Sequence, residues 1–169
     1  MSNNGPTAHD PWRYTRLRLW ALALLRMAIG WHFLYEGIAK LLNPYWTSAA
    51  FLLESQGPLS GIFRAAADSP TVLKIIDFIN IWGLIAIGLG LMAGFLTRTA
   101  SVAGMVLLAL YYICNPPMIG FTYSAPQEGS YLFVTKNVVE FLALGVIILF
   151  PTSRIIGLDG LVFRKKDRA

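Results

Sequence analysis

Four long apolar segments constrain the fold of this chain more than any other feature. They cover approximately residues 17–42, 73–96, 99–113 and 131–150, and a proline follows three of them, at Pro44, Pro116 and Pro151. A lipid hydrocarbon core of about 30 Å is crossed by about 20 helical residues. Because proline commonly stands just beyond a helix end, these segments predict an all-α protein, a bundle of four transmembrane helices.

The composition favours a membrane protein over a soluble domain. Of the 169 residues, 56% are apolar and only 14% are charged, whereas charged residues make up about 25% of a typical soluble domain. The net charge of +5 does not indicate nucleic-acid binding, because the basic residues flank apolar segments and form no polar basic face. A single cysteine, Cys114, excludes an internal disulfide and a paired-cysteine metal site.

The distribution of Lys and Arg predicts that both termini face the cytoplasm. An even number of spans puts both termini on one side, and cytoplasmic loops carry the excess of basic residues. The two terminal segments and the turn between the second and third spans hold most of them: Arg13, Arg16, Arg18, Arg98, Arg154, Arg164, Lys165, Lys166 and Arg168. The predicted organisation is a polar cytoplasmic arm (1–16), a membrane domain (17–151) with longer outer loops at 43–72 and 115–130, and a basic cytoplasmic tail (152–169).

The first span carries four ionisable residues along one side. At about 100° per residue, His32, Glu36 and Lys40 are neighbours on that side, and Arg26 falls within the same arc of about 120°. A charge that faces lipid costs several kcal/mol, so this stripe is expected to face protein or water. The expected partner of Arg26 is Glu140, because Glu36 is about 15 Å away along the same helix.

The other spans add polar residues at a similar predicted depth. They are Asp77 and Asn80 in the second span, Cys114 at the end of the third, and Lys136, Asn137 and Glu140 in the fourth. With the orientation above, these groups gather in the outward half of the membrane. We therefore expect a polar pocket there, with a set of ligand-binding residues: Arg26, Lys40, Asp77, Asn80, Lys136 and Asn137.

A purely structural interpretation of these residues stays open. Polar side chains can hold helices together in lipid at about 0.6 kcal/mol per hydrogen bond, and lysines near helix ends can extend to the membrane interface. His32 can be a neutral hydrogen-bonded residue, and Cys114 a small buried one. A stripe of glycines in the second span (Gly83, Gly90 and Gly94) favours close helix packing or a homodimer face.

A pocket of this kind suits an amphipathic ligand with polar ring oxygens, such as a quinone. In that hypothesis Glu36, His32 and Glu140 are the catalytic proton carriers, because the ring takes up protons when it is reduced. Cys114 is a redox candidate, as a thiol or persulfide relay. The sequence has no metal-binding motif, and His32 is the only histidine within a span, which argues against a heme with two histidine ligands.

Several of these residues form a pattern that resembles the DoxX family of small bacterial membrane proteins. The first span carries it at Arg26, Gly30, Phe33, Gly37, Lys40 and Leu41, and it continues in the glycine-rich second span that ends at Arg98, in Lys136-Asn137 and in Gly157-Leu158-Asp159. The resemblance implies a four-helix protein of the bacterial inner membrane. It also implies kinship with the DoxD-type subunit of thiosulfate:quinone oxidoreductase.

Two functions follow as hypotheses. The first is a quinone-interacting subunit of a sulfur-linked membrane redox system, with a redox partner protein on its outer face. The second is a non-catalytic membrane anchor or assembly partner, which the aromatic, turn-rich outer segments favour. In both cases the chain contacts the lipid bilayer, a homodimer is a candidate state, and no nucleic acid is expected.

Overall fold

A computed structural model describes residues 15–118, 120, 121, 123 and 133–163, and the described residues are helical with no strand. The predicted arm up to residue 14, the start of the fourth predicted span, most of the loop 115–130 and the tail from residue 164 lie outside the described residues. The helices are α1 (Arg16–Leu42), α2 (Ala49–Leu53), α3 (Ser60–Asp68), α4 (Pro70–Ala93), α5 (Thr97–Cys114), α6 (Lys136–Leu149), a 3₁₀ turn (Thr152–Arg154) and α7 (Leu158–Phe163).

The ends of the long helices follow from local chemistry. The hydroxyl of Thr15 accepts a hydrogen bond from the backbone N–H of Arg18 and caps the start of α1. Pro70 occupies the first turn of α4, where its missing N–H costs nothing. Gly94 ends α4 in the left-handed region at φ 65°, a backbone conformation that glycine adopts without steric cost. Leu96 also has a positive φ, 49°, so the turn into α5 is tightly folded.

Among the described residues, three helices, α1, α4 and α5, are long and apolar enough to cross a membrane. Many large apolar side chains on the long helices point outward, among them Leu24, Trp82, Val106 and Leu142, as a lipid-facing surface requires. Helix α6 has 14 described residues, about 21 Å at 1.5 Å per residue, which is shorter than the hydrocarbon core. The all-α class is confirmed, whereas a fourth complete span and the orientation of the termini stay predictions.

The four long helices pack in a closed ring: α1 on α4, α4 on α5, α5 on α6 and α6 on α1. Their buried core includes Phe33, Leu84, Leu91, Leu108 and Leu144. Each neighbour in the ring runs antiparallel to the last. The end where α1 and α5 finish and α4 and α6 begin is called the cavity end below, and the opposite end is called the tail end.

Glycines permit the close crossing of α1 and α4. A Cβ atom built on Gly88 would lie 2.7 Å from the backbone oxygen of Gly30, and one on Gly37 would lie 3.0 Å from the backbone nitrogen of Ile85. Only glycine allows two helix backbones to approach so closely. By contrast, Gly83 has no atom within 4 Å of its added Cβ, so the predicted glycine stripe of α4 is not one uniform packing face.

The predicted outer loop 43–72 contains two short helices, α2 and α3, and α4 begins three residues earlier than expected. The start of α2 is held by Asp77 on α4, whose carboxylate accepts hydrogen bonds from the Thr47 hydroxyl at 2.9 Å and from the Ser48 backbone N–H at 2.8 Å. The hydroxyl of Ser48 donates to the same carboxylate at 2.5 Å. These contacts fold the segment over the cavity end.

Candidate functional site

A cavity of about 730 Å³ opens among α1, α4, α5 and α6 at the cavity end. The segment from Trp46 to Glu54 closes part of it from above. Its walls combine apolar and aromatic side chains with carboxylates, amides and hydroxyls, the mixture expected of a small-molecule site. Its principal polar and aromatic residues are His32, Phe33, Glu36, Lys40, Trp46, Phe51, Asn80, Tyr111, Tyr112, Asn115, Thr135, Lys136, Asn137 and Glu140.

His32 lies between two carboxylates on the wall of the cavity. Its Nδ1 atom is 2.7 Å from Oε1 of Glu140 on α6, and its Nε2 atom is 4.0 Å from Oε1 of Glu36, one turn further along α1. The other oxygen of Glu36 accepts a hydrogen bond from Nζ of Lys40 at 3.2 Å. The exposed fraction of the side chain rises from 15% for Glu140 to 30% for His32 and 42% for Glu36.

This order of exposure gives the row a direction, from the partly buried carboxylate of Glu140 to the more exposed one of Glu36. Imidazole and carboxylate side chains are among those that most often act as general acids and bases in proteins. The row therefore has the side-chain types of a general acid–base site, and Glu36 is its most exposed member. Its spacing along α1 follows from the helical period, since residues four apart lie on the same face.

Asn80 and Tyr111 form a second polar pair deep in the cavity. The Asn80 amide donates a hydrogen bond to the Tyr111 hydroxyl at 2.6 Å, which joins α4 to α5. Asn80 is 7% exposed, and its side-chain oxygen has no hydrogen-bond partner. Phe51 from the covering segment packs edge-on against the Tyr111 ring, with centroids 5.7 Å apart, so the aromatic wall is continuous there.

The opening of the cavity carries two lysines. Lys40 lies 5.5 Å above the centre of the Trp46 ring, a cation–π geometry. Lys136 and Asn137 are the first two residues of α6 and also line the cavity. Seven of the predicted site residues are thus brought to one chamber: His32, Glu36, Lys40, Asn80, Lys136, Asn137 and Glu140.

Two predicted site residues lie beside the cavity and do not line it. Asp77 holds the covering segment through Thr47 and Ser48. Cys114 is 1% exposed, with its sulfur 3.8 Å from the backbone oxygen of Phe51. Both side chains hold the covering segment against the helices. They affect the cavity only by positioning Thr47, Ser48 and Phe51, which line it.

Arg26 lies at the other end of the molecule, so the expected pairing with Glu140 is wrong. Its guanidinium donates a hydrogen bond to the backbone oxygen of Ile156 at 2.7 Å, and the side chain is 2% exposed. Arg26 precedes His32 by six residues, about 9 Å of helix, which places it too close to the tail end to reach the level of Glu140. Glu140 contacts His32 in its place.

The tail end is closed by Asp159, which approaches the turn between α4 and α5. Its two carboxylate oxygens accept hydrogen bonds from the backbone N–H groups of Leu96 and Thr97, at 2.7 and 3.2 Å, and its own N–H donates to the oxygen of Gly94 at 2.9 Å. Burial alone would raise the pKa of Asp159, but the hydrogen bonds from Ser153, Thr97 and Leu96 together hold that pKa below its ordinary value.

Sequence reasoning did not assign several cavity residues to the site. Tyr111, Tyr112 and Asn115 line the cavity together with Leu108, and their spacing of i, i+3, i+4 and i+7 is that of one helix face. This period was available in the sequence. Trp46 and Phe51 carried no such signal, because only the fold of the covering segment brings them to the cavity.

Comparisons with known proteins identify a family but no individual relative. The family model of DoxX matches residues 21–114, more than half of the chain. The match includes Arg26, His32, Glu36, Asn80 and Tyr111, whereas α6, with Lys136 and Glu140, lies beyond it. The comparison with curated proteins and the comparison with solved structures gave no match. Because the DoxX model matches more than half of this helical membrane protein, the chain belongs to the DoxX family.

Proposed function

We propose that this protein is a quinone-interacting subunit of a membrane redox system, with its site in the cavity among α1, α4, α5 and α6. The placement of His32 between Glu140 and Glu36 is the observation that carries the proposal. When bound, a quinone supplies two-electron, two-proton chemistry at its ring oxygens. The cavity volume of about 730 Å³ and its aromatic walls fit a substituted ring with the beginning of an apolar tail.

In this proposal the residues of the chain have distinct tasks. Phe51 and Tyr111, which pack against each other, together form an aromatic wall on which the ring packs. Glu140 and His32 hold or release a proton at the ring oxygen, and Glu36 passes it to or from water at the opening. The electrons are exchanged with a redox partner protein on the outer face, and the sulfur-linked reaction implied by the family resemblance belongs to the same proposal.

The test is equilibrium binding of a short-chain quinone and of its hydroquinone to the detergent-purified protein. We expect saturable binding of at least one form, weakened about 10-fold by Glu36→Gln, equivalent to about 1.4 kcal/mol. Asp68→Asn is the matched control, because Asp68 is an exposed carboxylate on α3, away from the cavity. Absence of binding by both forms would exclude the proposed function.

A second candidate function is a non-catalytic anchor or assembly partner. It is supported by α3, which has no buried residue and exposes Ile62 at 67%, although it lies over the cavity end. In this case crosslinking would capture a stable partner, and the complex would survive Glu36→Gln but be lost with Ile62→Asp. In the quinone hypothesis, Glu36→Gln weakens quinone binding and Ile62→Asp leaves it unchanged.

We also propose that both termini face the cytoplasm and that the membrane is the bacterial inner membrane. The concentration of Lys and Arg in the terminal segments and at Arg98 supports this orientation. Single-cysteine variants in a Cys114→Ala background test it. A membrane-impermeant maleimide should label Tyr45→Cys in intact cells and Arg98→Cys only after permeabilisation, and the reverse pattern would overturn the orientation.

A further inference from the structure

A smaller space lies beside the cavity, between α5 and α6, and is called the lateral groove below. It has a volume of about 210 Å³ and an almost wholly apolar surface. Ala109 and Ile113 on α5 and Val138 and Phe141 on α6 line the groove but not the cavity. Because its described lining comes from α5 and α6 alone, the groove faces away from the centre of the helix ring, toward the lipid.

The cavity and the lateral groove share three residues: Leu108 and Tyr112 on α5 and Asn137 on α6. The helical period explains why Asn137 belongs to both. At about 100° per residue, Asn137 falls between Glu140, which lines the cavity, and Phe141, which lines the groove. One face of α6 therefore passes from the cavity to the groove without interruption.

Helix α5 shows the same order around its axis. Leu108 and Tyr112 fall between Tyr111 on the cavity side and Ala109 on the groove side. Leu108 is 4% exposed, whereas Tyr112 is only half-buried, and its hydroxyl donates to the backbone oxygen of Phe133 at 3.2 Å in an exposed position. A single layer of side chains thus separates the two spaces, and Tyr112 is the member of that layer that turns aside most readily.

From this continuity we infer that the lateral groove binds the apolar tail of the ligand whose polar ring occupies the cavity. This inference rests on the proposed function and specifies its ligand as a lipid-soluble quinone that enters sideways between α5 and α6. The tail passes between Tyr112 and Asn137, and the Tyr112 ring rotates to admit it.

The opening of the cavity is a poor place for such a tail. Lys40 and the exposed carboxylate of Glu36 lie there, and an apolar chain directed toward them would remain in contact with charge and water. The groove offers an apolar path instead. It continues on α6 into Val139 and Leu142, which are 56% and 63% exposed, so the end of a long tail would meet lipid.

The experiment compares two quinones that share one ring: one without a tail and one with a tail of two isoprene units. Binding is measured in phosphatidylcholine nanodiscs, with partition into protein-free nanodiscs subtracted. Ala109→Phe places a ring in the groove and should weaken binding of the tailed quinone about 10-fold through the clash with its tail, while the tail-less quinone changes less than about twofold. Ala103→Phe is the matched control, because Ala103 is exposed on the same helix and lines neither space.

A second measurement uses the wild-type protein. A photoreactive diazirine at the end of the tail should crosslink to residues 108–113 and 137–142, as located by mass spectrometry of the peptides. Crosslinks to α1 or α4 alone, or an unchanged affinity of Ala109→Phe for the tailed quinone, would overturn the inference while the proposed function stands, and a phospholipid chain would then be the occupant of the groove. If neither quinone binds the wild-type protein, the proposed function itself fails. The crosslinks decide the question even if Ala109→Phe does not fold or weakens both ligands.

Discussion

The guanidinium of Arg26 donates a hydrogen bond to the backbone oxygen of Ile156, a residue 130 positions later in the chain, at 2.7 Å. The contact ties the first half of α1 to the segment that follows α6. A buried arginine that meets a backbone carbonyl in this way closes the tail end of the protein. His32 and Glu140 meet at the opposite end of the molecule.

Removal of this contact should destabilise the fold without touching the cavity. We expect Arg26→Met to lower the free energy of unfolding by about 1.5–3 kcal/mol, the range for a hydrogen bond to a charged group. Reversible unfolding by sodium dodecyl sulfate in mixed micelles measures it. Arg18→Met, at an exposed position of the same helix, is the control. Equal stability of the two variants would show that the contact with Ile156 contributes nothing.

Asp159 should stabilise the turn between α4 and α5 in a pH-dependent manner. It substitutes for the missing cap of α5, since the residue at that position, Leu96, provides no side-chain cap. We expect Asp159→Ala to cost about 1–2 kcal/mol at neutral pH, as for other helix caps. Because the folded state lowers the pKa of Asp159, its contribution is complete above the unfolded-state pKa of about 3.9 and declines as the pH falls below that value.

The measurement is the melting temperature of the wild type and of Asp159→Ala in detergent, from pH 3 to pH 8. The difference between them should be constant above about pH 5 and should shrink toward pH 3. Asp159→Asn keeps one acceptor oxygen but no charge, so it should lie between the two at neutral pH. A gap that is as large at pH 3 as at pH 7 would contradict the role of the ionised carboxylate.

Two glycines of α4 offer a matched comparison. A Cβ on Gly88 would lie 2.5 Å from the backbone nitrogen of Leu34 on α1, whereas a Cβ on Gly83 would meet nothing within 4 Å. We expect Gly88→Ala to destabilise the protein by about 1–3 kcal/mol through overpacking. We expect Gly83→Ala to stabilise it by up to about 1 kcal/mol through helix propensity. The same unfolding assay measures both, and similar effects of the two substitutions would rule out the close α1–α4 crossing.

The long helices were predictable because their signals are local. The apolar runs and the prolines beyond them placed α1, α4 and α5 within a few residues of their observed bounds. Helices α2 and α3 gave no comparable signal, since α2 has only five residues and its start depends on Asp77 from α4. A helix that short has no stability of its own.

The site was predictable in composition but not in its pairings. Helical periodicity put His32, Glu36 and Lys40 on one face of α1, which is where the cavity lies. It could not decide between His32 and Arg26 as the partner of Glu140, because that depends on the relative depth of α1 and α6. The role of Asp159 depends on the path of the chain after α6, and no local pattern in the sequence encodes that path.

Cys114 provides the last prediction, since it was a redox candidate and is buried in the structure. The residues that follow the covering segment seal it: the Ser55 hydroxyl donates to the backbone oxygen of Cys114 at 2.6 Å, and Gly57 packs against the backbone of Ile113. Thiol reactivity requires access as well as ionisation. A maleimide should therefore label Cys114 in the folded protein at least about 100-fold more slowly than an exposed thiol, at a rate set by local opening.

Tyr45→Cys in a Cys114→Ala background provides that exposed thiol, because Tyr45 is 91% exposed on the same side of the molecule. Gly57→Val should lift the covering segment, since its side chain has no room beside Ile113, and should accelerate labelling of Cys114 about 10-fold or more through the same local opening. Labelling of wild-type Cys114 as fast as that of the Tyr45→Cys variant would show an accessible thiol, and a relay at Cys114 would then again be a candidate part of the redox site.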